Sequence, residues 1–491
     1  MATDTALADD PLALVLNGIN GSTGAYLLPD VAVTDLARLA RGEKPDDEHK
    51  KALAQRHVGA APSFGLGLEW DPQNLEEAGW GVVFASDAAP ELVAALEPLL
   101  ALRRSQAGER FRQYSGAEGY RKGDLPDRAH AWLGRDPRKK APGPADPRKV
   151  PFYLLLVGDP ESVPFRFQYE LDINYAVGRL HFDTVAEYTN YATSVVQQEK
   201  AALPAQPASP QAPPSALFFG VRNRGDRATQ LSADRLVAPL AQLMARSAGA
   251  AWTLDTLLAD QASKANLSAA LLGQKRPALL FTASHGMGFP NGDARQLTDQ
   301  GALLCQDWPG PMLHRGPVPK DFYFSADDLP ADASLSGLIA FHFACYGAGT
   351  PKLDDYAHQS GVRDVIAPHA FLSALTRREL GLPKGGALAA VGHVERAWTY
   401  SFSSPGAGDD LTVFEGALEQ VMAGGRLGAA MGFFSQKYAD LAVSLTGVLE
   451  DERFGAERND TMVAGLWTAN NDARSYVIVG DPAVRLRLGT G

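Results

Sequence analysis

Two apolar runs in this chain end on reactive side chains, a histidine and a cysteine sixty positions apart. Residues 337–349 (GLIAFHFACYGAG) lead through apolar residues to Cys345 and then break on glycine, and residues 278–284 (ALLFTAS) lead to His285 and Gly286. A thiolate is a strong nucleophile, and imidazole is suited to proton transfer near neutral pH. Together they are the groups that a cysteine hydrolase requires.

The glycine and the small residues beside this pair fit the same chemistry. Ligands bind beyond the carboxyl ends of strands in open parallel sheets, and both runs end there if they form neighbouring strands. The main-chain amides of Gly286 and Cys345 would then form an oxyanion hole, in which one donor contributes roughly 3–4 kcal/mol to the transition state. A lone cysteine in an apolar strand is usually only a small buried residue. The matching histidine end favours the catalytic interpretation.

Other cysteines and histidines fit these roles less well. Cys305 precedes a Trp-Pro turn and has no glycine beside it. His342 lies within the strand that ends at Cys345, where a packed core histidine is expected. His393 ends a later apolar run and is the alternative base.

The composition limits the class of protein. The 491 residues are 45% hydrophobic and 21% charged, as in a globular chain, and the net charge of −11 argues against a nucleic-acid or anionic-membrane partner. Two cysteines give neither a disulfide framework nor a zinc ribbon. The first ten residues carry no lysine or arginine, so no secretory signal is expected, and no apolar run could span a bilayer. We predict a cytoplasmic protein.

The order of apolar runs and helical patterns predicts the architecture. We expect an N-terminal region of unclear fold (1–75), a first, non-catalytic α/β subdomain (76–200), a Pro/Ala linker (201–215) and a catalytic α/β subdomain with C-terminal helices and a final strand (216–491). Continuous apolar strands that alternate with helices indicate mainly parallel sheets covered by helices on both faces. The predicted strands are residues 81–85, 152–157, 176–180, 216–221, 252–257, 278–284, 337–343, 386–394 and 476–480.

Over residues 150–490 the chain resembles the caspase-like (clan CD) cysteine peptidases, and among them the gingipain family. The resemblance rests on the His–Gly and Ala–Cys strand ends, on LLLVGDPESVP followed by a strand containing Gly-Arg, and on the terminal VGDPAVRL. It implies a caspase-like fold of two side-by-side α/β subdomains and endopeptidase activity through Cys345 and His285. The Gly286 and Cys345 amides match the family's oxyanion hole.

The resemblance also suggests a substrate pocket. Asp234 matches a carboxylate that holds a substrate arginine, and Trp398 matches an aromatic ring along the pocket. These matches imply cleavage after Arg or Lys, although Asp234 could simply cap a helix and Trp398 could be a packing residue. Selection of an acidic side chain would instead require arginines in the pocket, for which Arg222, Arg224 and Arg396 are available. The family's histidine-orienting acid is replaced near Asn223, which is the candidate for that task.

The resemblance implies protein or peptide substrates and no required cofactor, and it leaves room for a structural calcium ion. We further expect a zymogen in a bacterial defence or cell-death pathway, activated by another protease or a regulatory protein. Residues 286–332 or 105–150 would keep it inactive. The alternative is a catalytically inactive caspase-like scaffold that binds partners. A nucleotide-binding protein is disfavoured, because the chain has no GxxxxGK[ST] sequence.

Overall fold

The computed structural model describes residues 16–27, 37, 40, 41, 65–121, 129–135, 144–200, 213–354, 364–404 and 408–488. Most of the predicted linker, residues 201–212, lies outside this part of the chain, as do residues 1–15 and 42–64 of the predicted N-terminal region.

The strands are mostly short, and those of the central sheet other than β3 coincide with the apolar runs of the sequence. In chain order they are β1 (Gly18–Asn20), β2 (Trp80–Phe84), β3 (Phe111–Tyr114), β4 (Tyr153–Val157), β5 (Ala176–Leu180), β6 (Ser215–Gly220), β7 (Thr253–Leu258), β8 (Leu279–Ala283), β9 (Gly286–Gly288), β10 (Leu303–Leu304), β11 (Tyr323–Phe324), β12 (Ile339–Phe343), β13 (Gly349–Thr350), β14 (Phe371–Leu372), β15 (Ala389–His393), β16 (Ser403–Ser404), β17 (Gly408–Asp409) and β18 (Tyr476–Gly480).

The helices follow the strands in the alternation expected of an α/β protein. They are α1 (Leu75–Ala78), α2 (Pro90–Ala107), α3 (Ala129–Gly134), α4 (Phe165–Leu171), α5 (Val185–Lys200), α6 (Arg227–Leu231), α7 (Ala238–Ala248), α8 (Lys264–Leu272), α9 (Gln296–Asp299), α10 (Ala374–Gly381), α11 (Thr412–Met422), α12 (Leu427–Ala430), α13 (Gly432–Arg453) and α14 (Asp460–Arg474). Short 3-10 turns lie at Gly108–Arg110, Gly116–Glu118, Gly249–Ala251, Ala259–Gln261, Lys320–Phe322, Ala326–Asp328 and Thr399–Ser401. A π-helical segment, Ser232–Val237, joins α6 to α7, and Pro239, which cannot donate a helical hydrogen bond, follows it.

Ten strands form one sheet in the order β3-β2-β4-β5-β18-β15-β12-β8-β6-β7. Neighbours are parallel except for β18 and β15, which are antiparallel. The sheet therefore consists of two parallel halves that run in opposite directions and meet at the last strand. The predicted α/β fold with mainly parallel strands covered by helices is confirmed.

Both faces of the sheet are buried, which explains why its inner strands are mostly apolar. In β2, Trp80, Val82 and Phe84 belong to the largest buried cluster, whereas Val83 belongs to a second cluster on the opposite face. Every residue of β4, β5, β8, β12, β15 and β18 is buried as well.

A buried ion pair connects the end of the final strand to the first half of the sheet. Asp481, directly after β18, accepts hydrogen bonds from Arg103 of α2 at 2.7 Å and from the Trp80 indole at 2.9 Å. Both charged side chains are completely buried. The Gly-Asp-Pro turn therefore has a structural role in joining the final strand to the first half of the molecule.

A smaller sheet, β1-β9-β10-β11, lies at the edge where β8 and β12 end. It brings the N-terminal strand β1 beside β9, which starts at Gly286. A separate apolar cluster supports it, built from Ile19, Met287, Phe289, Ala302, Leu304, Trp308, Val318 and Tyr323. Within the described ranges, no helix is long and apolar enough to cross a membrane.

Candidate active site

The ends of β8 and β12 bring His285 and Cys345 to one edge of the central sheet. The two strands are parallel neighbours, and Phe343 lies opposite Ala283 at their last paired position. His285 and Cys345 each follow two residues later. The backbones approach closely here, because a Cβ atom built on Gly286 would lie 1.7 Å from the Cys345 carbonyl oxygen. Only glycine fits at this position.

A buried carboxylate orients the His285 ring. Nε2 of His285 lies 2.7 Å from Oδ2 of Asp226, and both side chains are fully buried. Asp226 also accepts hydrogen bonds from the hydroxyl groups of Thr229, at 2.6 Å, and Tyr26, at 2.5 Å. Burial opposes ionisation of this carboxyl, but His285 and these hydrogen bonds hold its pKa below the usual value. Asp226 is therefore ionised at neutral pH.

The second nitrogen of the ring, Nδ1, is available for proton transfer. It is buried and has no hydrogen-bond partner among the described residues. The rings of Tyr26 and Trp308 pack edge-on against His285, with centroids 5.7 and 6.1 Å away. The ring is thus fixed by packing and by Asp226 while Nδ1 stays unpaired.

Asn223 does not orient His285, and the sequence-based prediction is corrected on this point. Its side-chain amide donates to the Trp308 carbonyl oxygen at 2.7 Å, so it fixes the loop that carries Trp308. The carboxylate at His285 comes from Asp226, three residues later. The sequence places this aspartate immediately before a helix, where an ordinary helix cap would look the same.

The Cys345 thiol is completely buried. Its sulfur accepts a hydrogen bond from the Ala397 main-chain amide at 3.2 Å. Burial raises the pKa of Cys345 to about 12, although the Ala397 amide and the Arg396 charge act in the opposite direction. The thiol is therefore protonated in this state.

Two strained residues flank the thiol. Tyr346 and Glu395 both adopt left-handed backbone conformations, with φ of 60° and 80°. The Tyr346 amide donates to the Glu395 carbonyl oxygen at 2.5 Å, which joins the two turns. A non-glycine residue in such a conformation costs about 1–3 kcal/mol and is found mainly at functional sites.

The chain's own N-terminal segment, residues 16–20, lies across Cys345. The carbonyl oxygen of Asn17 accepts hydrogen bonds from the Gly286 amide at 2.9 Å and the Cys345 amide at 3.0 Å. These are the two amides that the sequence predicts as an oxyanion hole. The Asn17 amide in turn donates to the Ala397 carbonyl oxygen at 3.0 Å. A main-chain carbonyl group thus occupies the position expected of a substrate carbonyl.

The side chain of Asn17 is fully buried in a pocket that Ser232 and Ser284 line. Its Nδ2 atom donates to the Ser232 hydroxyl and to the Ser284 carbonyl oxygen, both at 3.3 Å. Its Oδ1 atom is buried without a partner among the described residues. Ser232 belongs to the π-helical segment, so the widened turn forms one side of this pocket.

The two residues predicted to bind the substrate side chain lie in different surroundings. Asp234 is half-exposed and pairs with Arg222 at 3.0 Å. In the π-helical segment that contains Asp234, it is Ser232 that contacts Asn17. Trp398 is buried, and its main chain pairs with that of Leu16. Trp398 therefore borders the N-terminal segment, while Asp234 does not contact Asn17.

The remaining candidate residues are engaged elsewhere. His342 packs in the core between Thr282, at 2.9 Å, and Glu379, at 3.2 Å. His393 is buried 3.2 Å from Asp472. Arg396 is buried against Asp354 at 2.7 Å. Within the described ranges, no group of three or more His, Cys, Asp or Glu side chains is arranged to hold a metal ion, and the structural calcium ion stays a prediction.

On the hypothesis from the sequence that this site cleaves peptides, replacing Asp226 with asparagine should lower kcat roughly a hundredfold, the lower end of what positioned acid–base groups contribute. The amide keeps the shape of the side chain but removes the charge that stabilises a protonated His285. The rate is measured by steady-state kinetics as a function of pH, with Asp255→Asn on the exposed edge strand β7 as the matched control. An unchanged kcat and pH profile would contradict an orienting role.

Comparison with known proteins gives only distant similarities. No protein-family profile matches the chain, and no curated protein matches it in sequence. Among solved structures, one described as a protease has 12% identity and a TM-score of 0.48, covering 84% of this chain and 79% of that one. The Arg-specific cysteine proteinase gingipain R has 12% identity and a TM-score of 0.45, with the same coverage. The complex of its pro- and mature domains from Porphyromonas gingivalis has 12% identity and a TM-score of 0.42, covering 84% and 80%.

Proposed function

We propose that this protein is a cysteine endopeptidase in which Cys345 is the nucleophile and His285 the general base, oriented by Asp226. The observation that carries the proposal is the position of the Asn17 carbonyl group. Its oxygen accepts hydrogen bonds from both the Gly286 and the Cys345 amides, and the chain on either side of it is extended. Two converging amides beside a thiol are the arrangement that stabilises the oxyanion of acyl transfer.

The proposed reaction starts with transfer of the Cys345 proton to the unpaired nitrogen of His285. The sulfur then attacks the carbonyl carbon of the bound peptide, and the negative charge on oxygen is stabilised by the amides of Gly286 and Cys345. His285 returns the proton to the departing amine. Water hydrolyses the resulting thioester and regenerates the thiol.

The enzyme is proposed to be a zymogen, and the N-terminal segment supports this. Its Asn17 carbonyl group binds the two amides at the buried thiol, and the residues directly after it, Gly21 and Ser22, are hydrogen-bonded to the long loop 286–332. The Gly21 amide donates to the Gly288 carbonyl oxygen at 2.6 Å, the Val318 amide donates to the Gly21 carbonyl oxygen at 2.8 Å, and the Ser22 hydroxyl donates to Asp293 at 2.6 Å. The predicted loop therefore has a part in covering the cleft, but the covering element is the N-terminal segment.

The predicted preference for Arg or Lys loses its main support. It depended on Asp234 as the carboxylate that holds a substrate arginine, and this carboxylate pairs with Arg222 near the surface. The cellular role in a bacterial defence or cell-death pathway stays a prediction from the family resemblance.

The second candidate function is an inactive scaffold, which the complete burial of Cys345 and its raised pKa favour. Labelling with a peptide electrophile that reacts with cysteine distinguishes the peptidase from the scaffold. We expect the electrophile to label Cys345 in the folded Gly18→Val chain, in which the N-terminal segment is displaced, and His285→Ala to slow this labelling at least tenfold.

Cys305 serves as the internal control, because it is equally buried and burial raises its pKa as well. Mass spectrometry of the tryptic peptides locates the label. Modification of Cys345 only after unfolding, together with no cleavage of any protein in a substrate library, would support the scaffold instead.

A further inference from the structure

Residues 16–20 pass through the cleft in the manner of an extended substrate. Before the Asn17 carbonyl group, the main chain of Leu16 pairs antiparallel with Trp398, and the Asn17 amide donates to Ala397. After it, Gly18–Asn20 forms β1, which is parallel to β9. The bond directly after the carbonyl group in the oxyanion position is Asn17–Gly18.

The glycine that follows lies against the thiol. A Cβ atom built on Gly18 would lie 2.8 Å from the Cys345 sulfur. The main chain at this bond is therefore close to the nucleophile, and a side chain after the bond would exclude that approach. Asn17 and Gly18 are thus placed as the two residues on either side of a cleavable bond.

The pocket around the Asn17 side chain offers two hydrogen-bond acceptors to the nitrogen of a carboxamide, and it leaves the buried Oδ1 atom without a partner among the described residues. The two acceptors for Nδ2 are the Ser232 hydroxyl and the Ser284 carbonyl oxygen. An aspartate in this place would direct a carboxylate oxygen at the Ser284 carbonyl oxygen, and two acceptors repel. An arginine or lysine would bring a buried charge into contact with groups that carry none, and burial of an unpaired charge is strongly unfavourable.

We propose that the primary specificity pocket selects asparagine and that Asn17–Gly18 is a bond that the enzyme cuts in its own chain. This inference rests on the proposed peptidase function. In the step, the Cys345 sulfur bonds to the Asn17 carbonyl carbon, the carbon–nitrogen bond to Gly18 breaks, and His285 passes the thiol proton to the new Gly18 amine. Water then hydrolyses the Asn17 thioester, which releases residues 1–17.

The test follows the full-length chain over time by intact-mass spectrometry. The wild-type chain should lose residues 1–17, and the Cys345→Ala chain should remain intact. Asn17→Asp and Asn17→Arg should each slow the cut at least tenfold. Cleavage at a different bond, or an Asn17→Arg chain cut as fast as the wild type, would overturn the proposal.

A second measurement tests whether the pocket prefers asparagine, independently of whether the protein cuts its own chain. Matched peptides with Asn, Asp, Arg or Lys before a glycine are added to the full-length Asn17→Arg chain. We expect the Asn peptide to be cut at least tenfold faster than the others, and Ser232→Ala to reduce this preference. Cys345-dependent cleavage with Arg or Lys preferred would overturn the asparagine assignment and leave the peptidase function standing. Absence of all Cys345-dependent cleavage would contradict both the asparagine assignment and the peptidase function.

Discussion

Replacing Gly18 with valine will raise the initial rate of peptide cleavage by the intact full-length chain roughly tenfold to a hundredfold. A Cβ atom at this position would lie 2.8 Å from the Cys345 sulfur and 2.3 Å from Cδ1 of Leu27. Overpacking of this kind costs about 1–3 kcal/mol, which shifts a two-state equilibrium between a covered and an open cleft about 5–150-fold. The added side chain destabilises only the covered state, so more molecules expose the thiol.

The comparison is made on chains whose intact mass shows that no cleavage has occurred, because removal of residues 1–17 would also open the wild-type cleft. Gly447→Val is the matched control, since a Cβ atom there would meet nothing within 4 Å. An unchanged rate in a Gly18→Val chain that melts at the wild-type temperature would show that the segment does not limit access to the site.

Replacing Cys345 or His285 with alanine should abolish cleavage, with kcat lowered roughly 10⁴-fold or more. In the proposed mechanism the sulfur forms the covalent intermediate and the imidazole moves the proton, so neither step proceeds without the other. The double substitution should therefore be no slower than the slower of the two single ones.

The measurement uses single-turnover kinetics with a peptide that the wild-type protein cleaves. Thermal melting shows that each variant is folded. Cys305→Ala is the matched control, because this buried thiol donates to the Leu303 carbonyl oxygen and lies outside the cleft. A Cys345→Ala chain that cleaves at the wild-type rate would refute the assignment of the nucleophile.

The central strands were predictable from the sequence because each is a continuous apolar run. Residues 176–180 and 476–480 match β5 and β18 at both ends, and the run 278–284 contains β8. Burial on both faces favours apolar residues at most positions, and this signal does not depend on the rest of the chain.

Features that depend on distant parts of the chain were not predictable. The edge strand β3 lies in residues 105–150, where no strand was predicted. An edge strand keeps polar residues such as Arg112 and Gln113, so it gives no continuous apolar run. That β18 joins the two halves of the sheet follows only from its pairing with β5 and β15.

The residues of the candidate site also differ in whether the sequence predicted them. The positions of His285 and Cys345 followed from two strand ends, whereas Asp226 reaches the histidine only through the loop after β6. Asn17 gave no signal at all, since its position in the cleft is set by residues more than two hundred positions away. Contacts of that range leave no local pattern in the sequence.

The central position of β18 has a consequence for biosynthesis. This strand is made after every other strand described, yet β5 and β15 both depend on it for their inner hydrogen bonds. Until it emerges from the ribosome, each half of the sheet exposes an unpaired apolar edge, the kind of surface through which nascent chains aggregate. The molecule therefore stays in need of protection from association until β18 has been made, however early its individual halves collapse.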